Sequence, residues 1–203
     1  SLNWLHEALR VFALNLNASL VVGVSLDKLG IIRGGPVFLG TGRGVTVAYT
    51  GGADSEPGYF AMNHCNRNVS GFINAPWIGR CQDLRETGPF NSAFATLWEA
   101  EYCARVFKTG KEIVYAPLME AVGDAPPATS NEELLRFVCA HHDVLRDDPY
   151  YTPFGSLKPE SLYSIAEPAE RAATLNPIFE KAGVPLISAV RHEISRYTRK
   201  GNS

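Results

Sequence analysis

"LWEAEYCARVFKTGKEIVYAP", Leu97 to Pro117, decides how this chain is read. Trp98, Tyr102 and Val106 recur at i, i+4 and i+8, so they line one face of a helix predicted from about residue 97 to 109. Thr109-Gly110 gives the stop, and "KEIVYAP" then reads as a strand with Ile113, Val114 and Tyr115 at its centre. A helix passing through a tight turn into a strand points to a mixed α/β domain.

Two carboxylates sit at the start of that helix. Residues two apart on a helix point about 200° apart, so Glu99 and Glu101 cannot serve one cleft as a pair. Glu101 stands four residues before Arg105, the favourable order, and predicts a surface ion pair worth a few tenths of a kcal/mol. Glu99, in the first turn, gains from the helix dipole and needs no catalytic role to explain it.

The flanks extend the same pattern. Asn3 to Phe12 carries apolar residues at 4, 5, 8, 9 and 12 and predicts a helix; "SLVVGVSL" predicts a buried strand. Gly- and Pro-broken β segments follow to Thr50. Within them Gly40-Thr-Gly42-Arg-Gly44 is a turn rather than a dinucleotide loop, because "VTVAYT" and not a helix comes next. Residues 51–66 read as a loop, "NVSGFINAPWIGR" as one strand, and "RCQDLRETG" as one or two helical turns ending at Gly88. Ser130 to Glu133 caps a helix over "EELLRFVCAHHDVL". The tail from 159 to 200 is expected to be mostly helical, bounded by Pro168, Pro177 and Pro185.

Composition narrows the function classes. The chain has 203 residues, 45% hydrophobic and 20% charged, with a net charge of −2. That suits a folded domain and supplies no basic field for nucleic acid. The basic residues at the end, Arg191, Arg196, Arg199 and Lys200, read as a solvated last helical turn. Cys65, Cys81, Cys103 and Cys139 contain no CxxC pair, so reduced, buried thiols are expected rather than a zinc site. No apolar run reaches the ~20 residues of a membrane helix. The expected location is cytoplasmic, with the inner membrane face as a second option. Starting at Ser1 inside a helix points to a piece of something longer. His141-His142-Asp143 does not make a metal site, since adjacent helical side chains diverge by ~100°; these residues are expected on a polar face.

The order of these pieces resembles the C-terminal half of bacterial family-2 glycosyltransferases of the O-antigen and rhamnosyltransferase kind. "RNVSGFINAPWIGRCQDLRETGPFNSAF" is similar to that family's strand, arginine and Phe-rich segment. "ATLWEAEYCARVFKTGKEIVYAPLMEAVGDA" is similar to its acidic D-x-D-L-C-x-R segment and the G-Y-x-x-x-Y-x-P strand that follows. "DDPYYTPFGSL" resembles its later DPYY element, and "NWLHEALRVF" the helix behind its metal-binding DxD. The resemblance runs from about residue 3 to 157, leaving 158–203 as a helical C-terminal extension.

What the resemblance implies is a GT-A nucleotide-diphospho-sugar transferase fold, a mixed sheet flanked by helices. The activity implied is inverting transfer of a sugar from a nucleotide-sugar to a growing surface polysaccharide. Glu99 takes the place of the base that deprotonates the acceptor hydroxyl. Asn74, Trp77 and Glu101 fall at acceptor-binding positions, and Asp124 at a metal position where the family has a histidine nearby. A divalent cation, Mg or Mn, is implied only for a complete enzyme, because the donor half and its DxD are not in these residues; none is expected for this chain alone. In the complete enzyme the implied partners are the nucleotide-sugar and the carbohydrate acceptor, and this chain alone is expected to be inactive. A second copy of the chain could cover the sheet edge that half a fold exposes. The competing expectation is a degenerate, non-catalytic domain that binds carbohydrate or protein within a larger chain.

Overall fold

Strand β1 (Ala18–Leu26) is apolar on both faces and therefore has to be covered on both sides. Leu20, Val22 and Val24 join one core, with Val69, Phe72, Tyr102, Val106, Ile113 and Tyr115. Val21 joins another, with Ala8, Val11, Val114 and Met119. In the computed structural model, which describes residues 3–146, 148–151, 155–158 and 164–186, every other element is arranged about this strand.

The elements in order are α1 (Asn3–Leu14), β1, β2 (Ile32–Leu39), β3 (Val45–Val47), β4 (Arg67–Val69), β5 (Gly71–Ile73), β6 (Trp77–Gly79), α2 (Cys81–Thr87), α3 (Trp98–Lys108), β7 (Glu112–Val122), α4 (Asn131–Leu145) and α5 (Pro168–Lys181). The seven strands form one mixed sheet in the order β3-β2-β1-β7-β4. β7 lies parallel to β1, and the other pairings are antiparallel. The free edge of β1 is shared: β6 pairs with its first half and β2 with its end. Residues 67–73 close the curl, since β4 pairs with β7 while β5, one residue later, pairs with β2. This is a mixed α/β fold with a curled mixed sheet flanked by helices.

Helix α1 covers one face of the β1/β7 pair and α3 the other. Helices α4 and α5 cover a third core, where Phe137, Leu145, Leu175 and Phe179 meet Val37, Phe38 and Leu39 of β2. Full burial of such side chains stabilises by about 1.5–3 kcal/mol each. A buried carboxylate ties this layer to the curl. Asp148 accepts from Leu39 N at 2.8 Å, from Tyr150 N at 2.9 Å and from the Ser70 hydroxyl, at the point where β4 gives way to β5. Burial holds its pKa above the usual carboxylate value despite these bonds.

Several expectations change. "NVSGFINAPWIGR" is three short strands, not one, because the chain transfers between partners at Ser70 and turns at Asn74 to Pro76. Helix α1 forms where predicted but turns Ala8 and Val11 to the sheet, leaving Trp4, Leu5 and Leu9 at 39%, 38% and 54% exposure. The small Ala8 allows close approach, which the bulky face would prevent. Pro177 lies inside α5 rather than at its boundary. The cysteines are free, as expected, yet only Cys103 is buried. His141 is buried and not on a polar face: α4 departs from helical geometry there, and the ring packs against Phe137. The tail expected beyond residue 186, with its four basic residues, and Asp147 lie outside the described residues.

The pairing of β1 with β7 shifts register twice, between Ala18 and Leu20 and again at Gly23. Val22 pairs with Tyr115 and Val24 with Glu120, so Ala116 to Met119 bulge opposite Gly23. A Cβ on Gly23 would stand 1.8 Å from the Met119 carbonyl oxygen, and Gly23 N donates to Pro76 O at 2.8 Å. Gly23→Ala should therefore lower stability by at least about 2 kcal/mol in urea denaturation. Gly35→Ala, whose Cβ would meet nothing nearer than 3.8 Å, should stay within about 0.5 kcal/mol of the parent. Equal effects at the two positions would refute the steric account.

Candidate functional site

The carboxyl ends of β1 and β7 and the turn between β5 and β6 meet at one end of the sheet. That is where open α/β sheets place their ligands. Asn74, the first residue of the turn, has φ +55°, a left-handed conformation that asparagine tolerates better than most residues. Gly34 of β2 leaves room for it, since a Cβ there would fall 2.0 Å from the Asn74 carbonyl oxygen. Held in this way, Asn74 faces two partners. Its backbone N–H donates to Glu99 Oε2 at 2.6 Å, and its side-chain Nδ2 donates to the backbone oxygen of Asp124 at 2.8 Å.

Glu99 sits in the first turn of α3, and α4 fixes where that turn begins. Ser130 caps α4 as the sequence predicts, accepting from Glu133 N at 3.1 Å. The Glu133 carboxylate, however, does not return to Ser130. It crosses to α3, accepting from Thr96 N at 2.7 Å and Leu97 N at 2.8 Å, and so satisfies amides at the helix entrance. Desolvation raises its pKa and the hydrogen bonds outweigh that, leaving it lowered.

Glu99 itself is 8% exposed. Burial pushes its pKa up to about 7, and the Asn74 hydrogen bond offsets only part of this. Its Oε1 accepts no hydrogen bond among the described residues and is not among the sealed polar atoms. One oxygen is thus positioned by the backbone, and the other is left to act on something else. A carboxyl group half-ionised near neutrality is suited to exchanging a proton with a bound hydroxyl.

Of the five residues singled out from sequence, Asn74, Glu99 and Asp124 come together. Glu101 faces elsewhere. It is 3% exposed and accepts from Arg105 Nε at 2.9 Å and Nη2 at 3.1 Å, while His141 Nε2 stands 3.6 Å away. The Glu101–Arg105 pair therefore forms as expected in sequence spacing but is a buried interaction, not a surface one. Arg105 also donates to Thr87 O at 2.7 Å and Pro89 O at 2.9 Å, which pins the end of α2 to α3. Desolvation lowers the His141 pKa, and the nearby Lys108 adds to this.

Trp77 is half-buried beside the turn. Its ring centroid is 6.0 Å from Phe72 and 5.9 Å from Phe90; Phe90 in turn lies 5.0 Å from Trp98 and 4.7 Å from Tyr102. With Leu84, Arg85 and Pro89, the rings of Trp77, Phe90 and Tyr102 line an open groove of about 420 Å³. Phe90, Tyr102 and Glu133 were not singled out as site residues from sequence. The bulk of "GPF" is visible there, but its approach to Trp77 depends on the Arg105 clamp.

Asp124 is exposed, and its contact with Asn74 uses the backbone oxygen. Among the described residues no three His, Cys, Asp or Glu side chains gather as metal ligands. A single carboxylate does not fit a divalent cation, which takes six or more oxygens. No helix among the described residues is long and apolar enough to cross a membrane. Comparison with known proteins finds no matching family model, no matching curated protein and no matching solved structure.

The buried acid has a measurable signature. Glu99 holds its proton to about pH 7 in the folded chain and to about 4.5 in the unfolded one, so the folded state binds protons more tightly. Its contribution to stability is then fully present below pH 4.5 and lost as pH rises to 7, a change of about 3 kcal/mol. Glu99→Gln should remove this slope. Denaturation of both proteins from pH 4.5 to 8 should show a stability difference that grows with pH in favour of the variant. A constant difference would show that Glu99 titrates normally.

Proposed function

We propose that this chain is the acceptor-side half of an inverting, GT-A-type glycosyltransferase that extends a bacterial polysaccharide. The observation that carries the proposal is the isolated buried Glu99, with one oxygen fixed by Asn74 N and the other unengaged. In the reaction, an acceptor hydroxyl attacks the anomeric carbon of a nucleotide-sugar. The new glycosidic C–O bond forms as the bond to the diphosphate breaks, and Glu99 takes the hydroxyl proton. A pKa near 7 lets the carboxylate accept that proton at neutral pH. The groove beside Trp77 offers aromatic faces on which a sugar ring can stack.

On this reading the donor site is supplied by other residues, since the sequence contains no DxD. If the groove binds carbohydrate without any transfer, the chain is a carbohydrate-binding module on the same surface.

Two measurements separate these outcomes. Titration of the 203-residue chain with oligosaccharides of bacterial surface polysaccharides should shift the Trp77 indole N–H resonance, and Trp77→Ala should abolish binding. In a form of the protein joined to a nucleotide-sugar-binding half, Glu99→Gln should lower kcat at least ~100-fold with donor binding nearly unchanged. Unchanged kcat would refute Glu99 as the base, and no oligosaccharide binding would refute the acceptor groove.

A further inference from the structure

The segment that follows β7 is fastened at two points, one on each side of the Glu99 turn. At its start, Gly123 N donates to Leu26 O at 2.9 Å, and the Asp124 backbone oxygen accepts from Asn74 Nδ2 at 2.8 Å. At its end, Thr129 Oγ1 accepts from Thr96 Oγ1 at 2.9 Å, beside the Ser130 cap of α4. Asn74 is the residue that holds Glu99 through its backbone, and Thr96 lies three residues before Glu99 at the entrance of α3. The two fastenings therefore flank the same helical turn.

Between them, Ala125 to Ala128 make no hydrogen bond among the described residues. Pro126 and Pro127 have no amide hydrogen to donate and stiffen the span. The six residues from Asp124 to Thr129 can extend at most ~20 Å, enough to bridge one helical turn and too short to wander from it. A stiff span whose hydrogen bonds, among the described residues, lie only at its ends can detach at either end without breaking a bond of the sheet or of α3.

We infer that Asp124–Thr129 is a strap across the first turn of α3, and that release of its Asn74 or Thr129 fastening widens the narrow access that Glu99 has to the surroundings. Asn74 is then a positioning residue with two separable duties. Its backbone aims Glu99, and its side chain holds the strap. The proposal assigns regulation to the candidate base described above, so its biological use rests on that reading. Its physical content does not, because access to a carboxyl group can be measured without turnover.

The two duties can be separated by substitution. Asn74→Gly keeps the left-handed backbone and the N–H to Glu99 but removes the Asp124 fastening. Thr129→Ala loosens the other end and leaves Asn74 untouched. Both proteins would be labelled with carbodiimide and glycine ethyl ester, and the modification rate of Glu99 read by mass spectrometry. Amide exchange would be followed in the same samples. The expected result is a rise of about tenfold in Glu99 labelling in each variant. Amide protection in β1 and β7 should be unchanged.

Labelling equal to the parent in both variants would overturn the strap. If Asn74→Gly loosens β1 and β7 as well, Thr129→Ala alone decides the matter. A strap that opens in a protein whose Glu99→Gln variant still transfers sugar would leave this inference standing and the base role refuted.

Discussion

The parallel pairing of β1 with β7 is the interaction on which the rest of the fold depends. β1 is buried along nearly all of its length and β7 from Ile113 to Ala116, so this stretch of the pair needs helices on two faces. Helix α1 and helix α3 meet that need from opposite sides. The larger of its two irregularities falls at Gly23, where the absence of a side chain lets the β7 bulge approach. Beyond that bulge the two strands resume and end together, and their common end supports the Asn74 turn and Asp124. The site is thus a consequence of a backbone contact that only glycine permits.

Electrostatics at the two glutamates of α3 show how position decides role. Glu101 is buried but paired, with an arginine guanidinium satisfying both its oxygens. Glu99, two residues away, is buried with one amide and no cation to hold its charge. Low dielectric surroundings stabilise the first arrangement through the ion pair and penalise ionisation in the second. The same residue type in the same helix turn becomes in one case a structural clamp and in the other an acid with its proton poised near neutrality.

Local signals in the sequence were strong enough to place most elements. The 3.6-residue stripe of Trp98, Tyr102 and Val106, the Ser130 cap and the glycine stop at Gly88 all mark elements found at those positions. The helical spacing of Glu101 and Arg105 gave their pairing as well. What escaped were relations between distant segments. Nothing local in "NVSGFINAP" tells that β4 and β5 serve different partners, because the transfer at Ser70 is imposed by β7, β2 and Asp148. The burial of His141 depends on α3 lying against α4. The meeting of Asn74 with Glu99 depends on Gly34 and a left-handed turn. Asn74 bonds Glu99 through its own backbone N–H and Asp124 through that residue's backbone oxygen, while Glu101 is taken up by Arg105.

The curl of the sheet also fixes an order of events during synthesis. β1 emerges well before its parallel partner, which is complete only at Val122, after β2 to β6 and two helices have been made. Until then one edge of an apolar strand and the binding face for α3 lack their partners. Domains with such distant strand pairs close slowly, since chain entropy must be lost before the contacts repay it. The growing chain accordingly passes through a stage in which β1 offers an unpaired edge to any other strand nearby, and the speed of reaching β7 governs how long that hazard lasts.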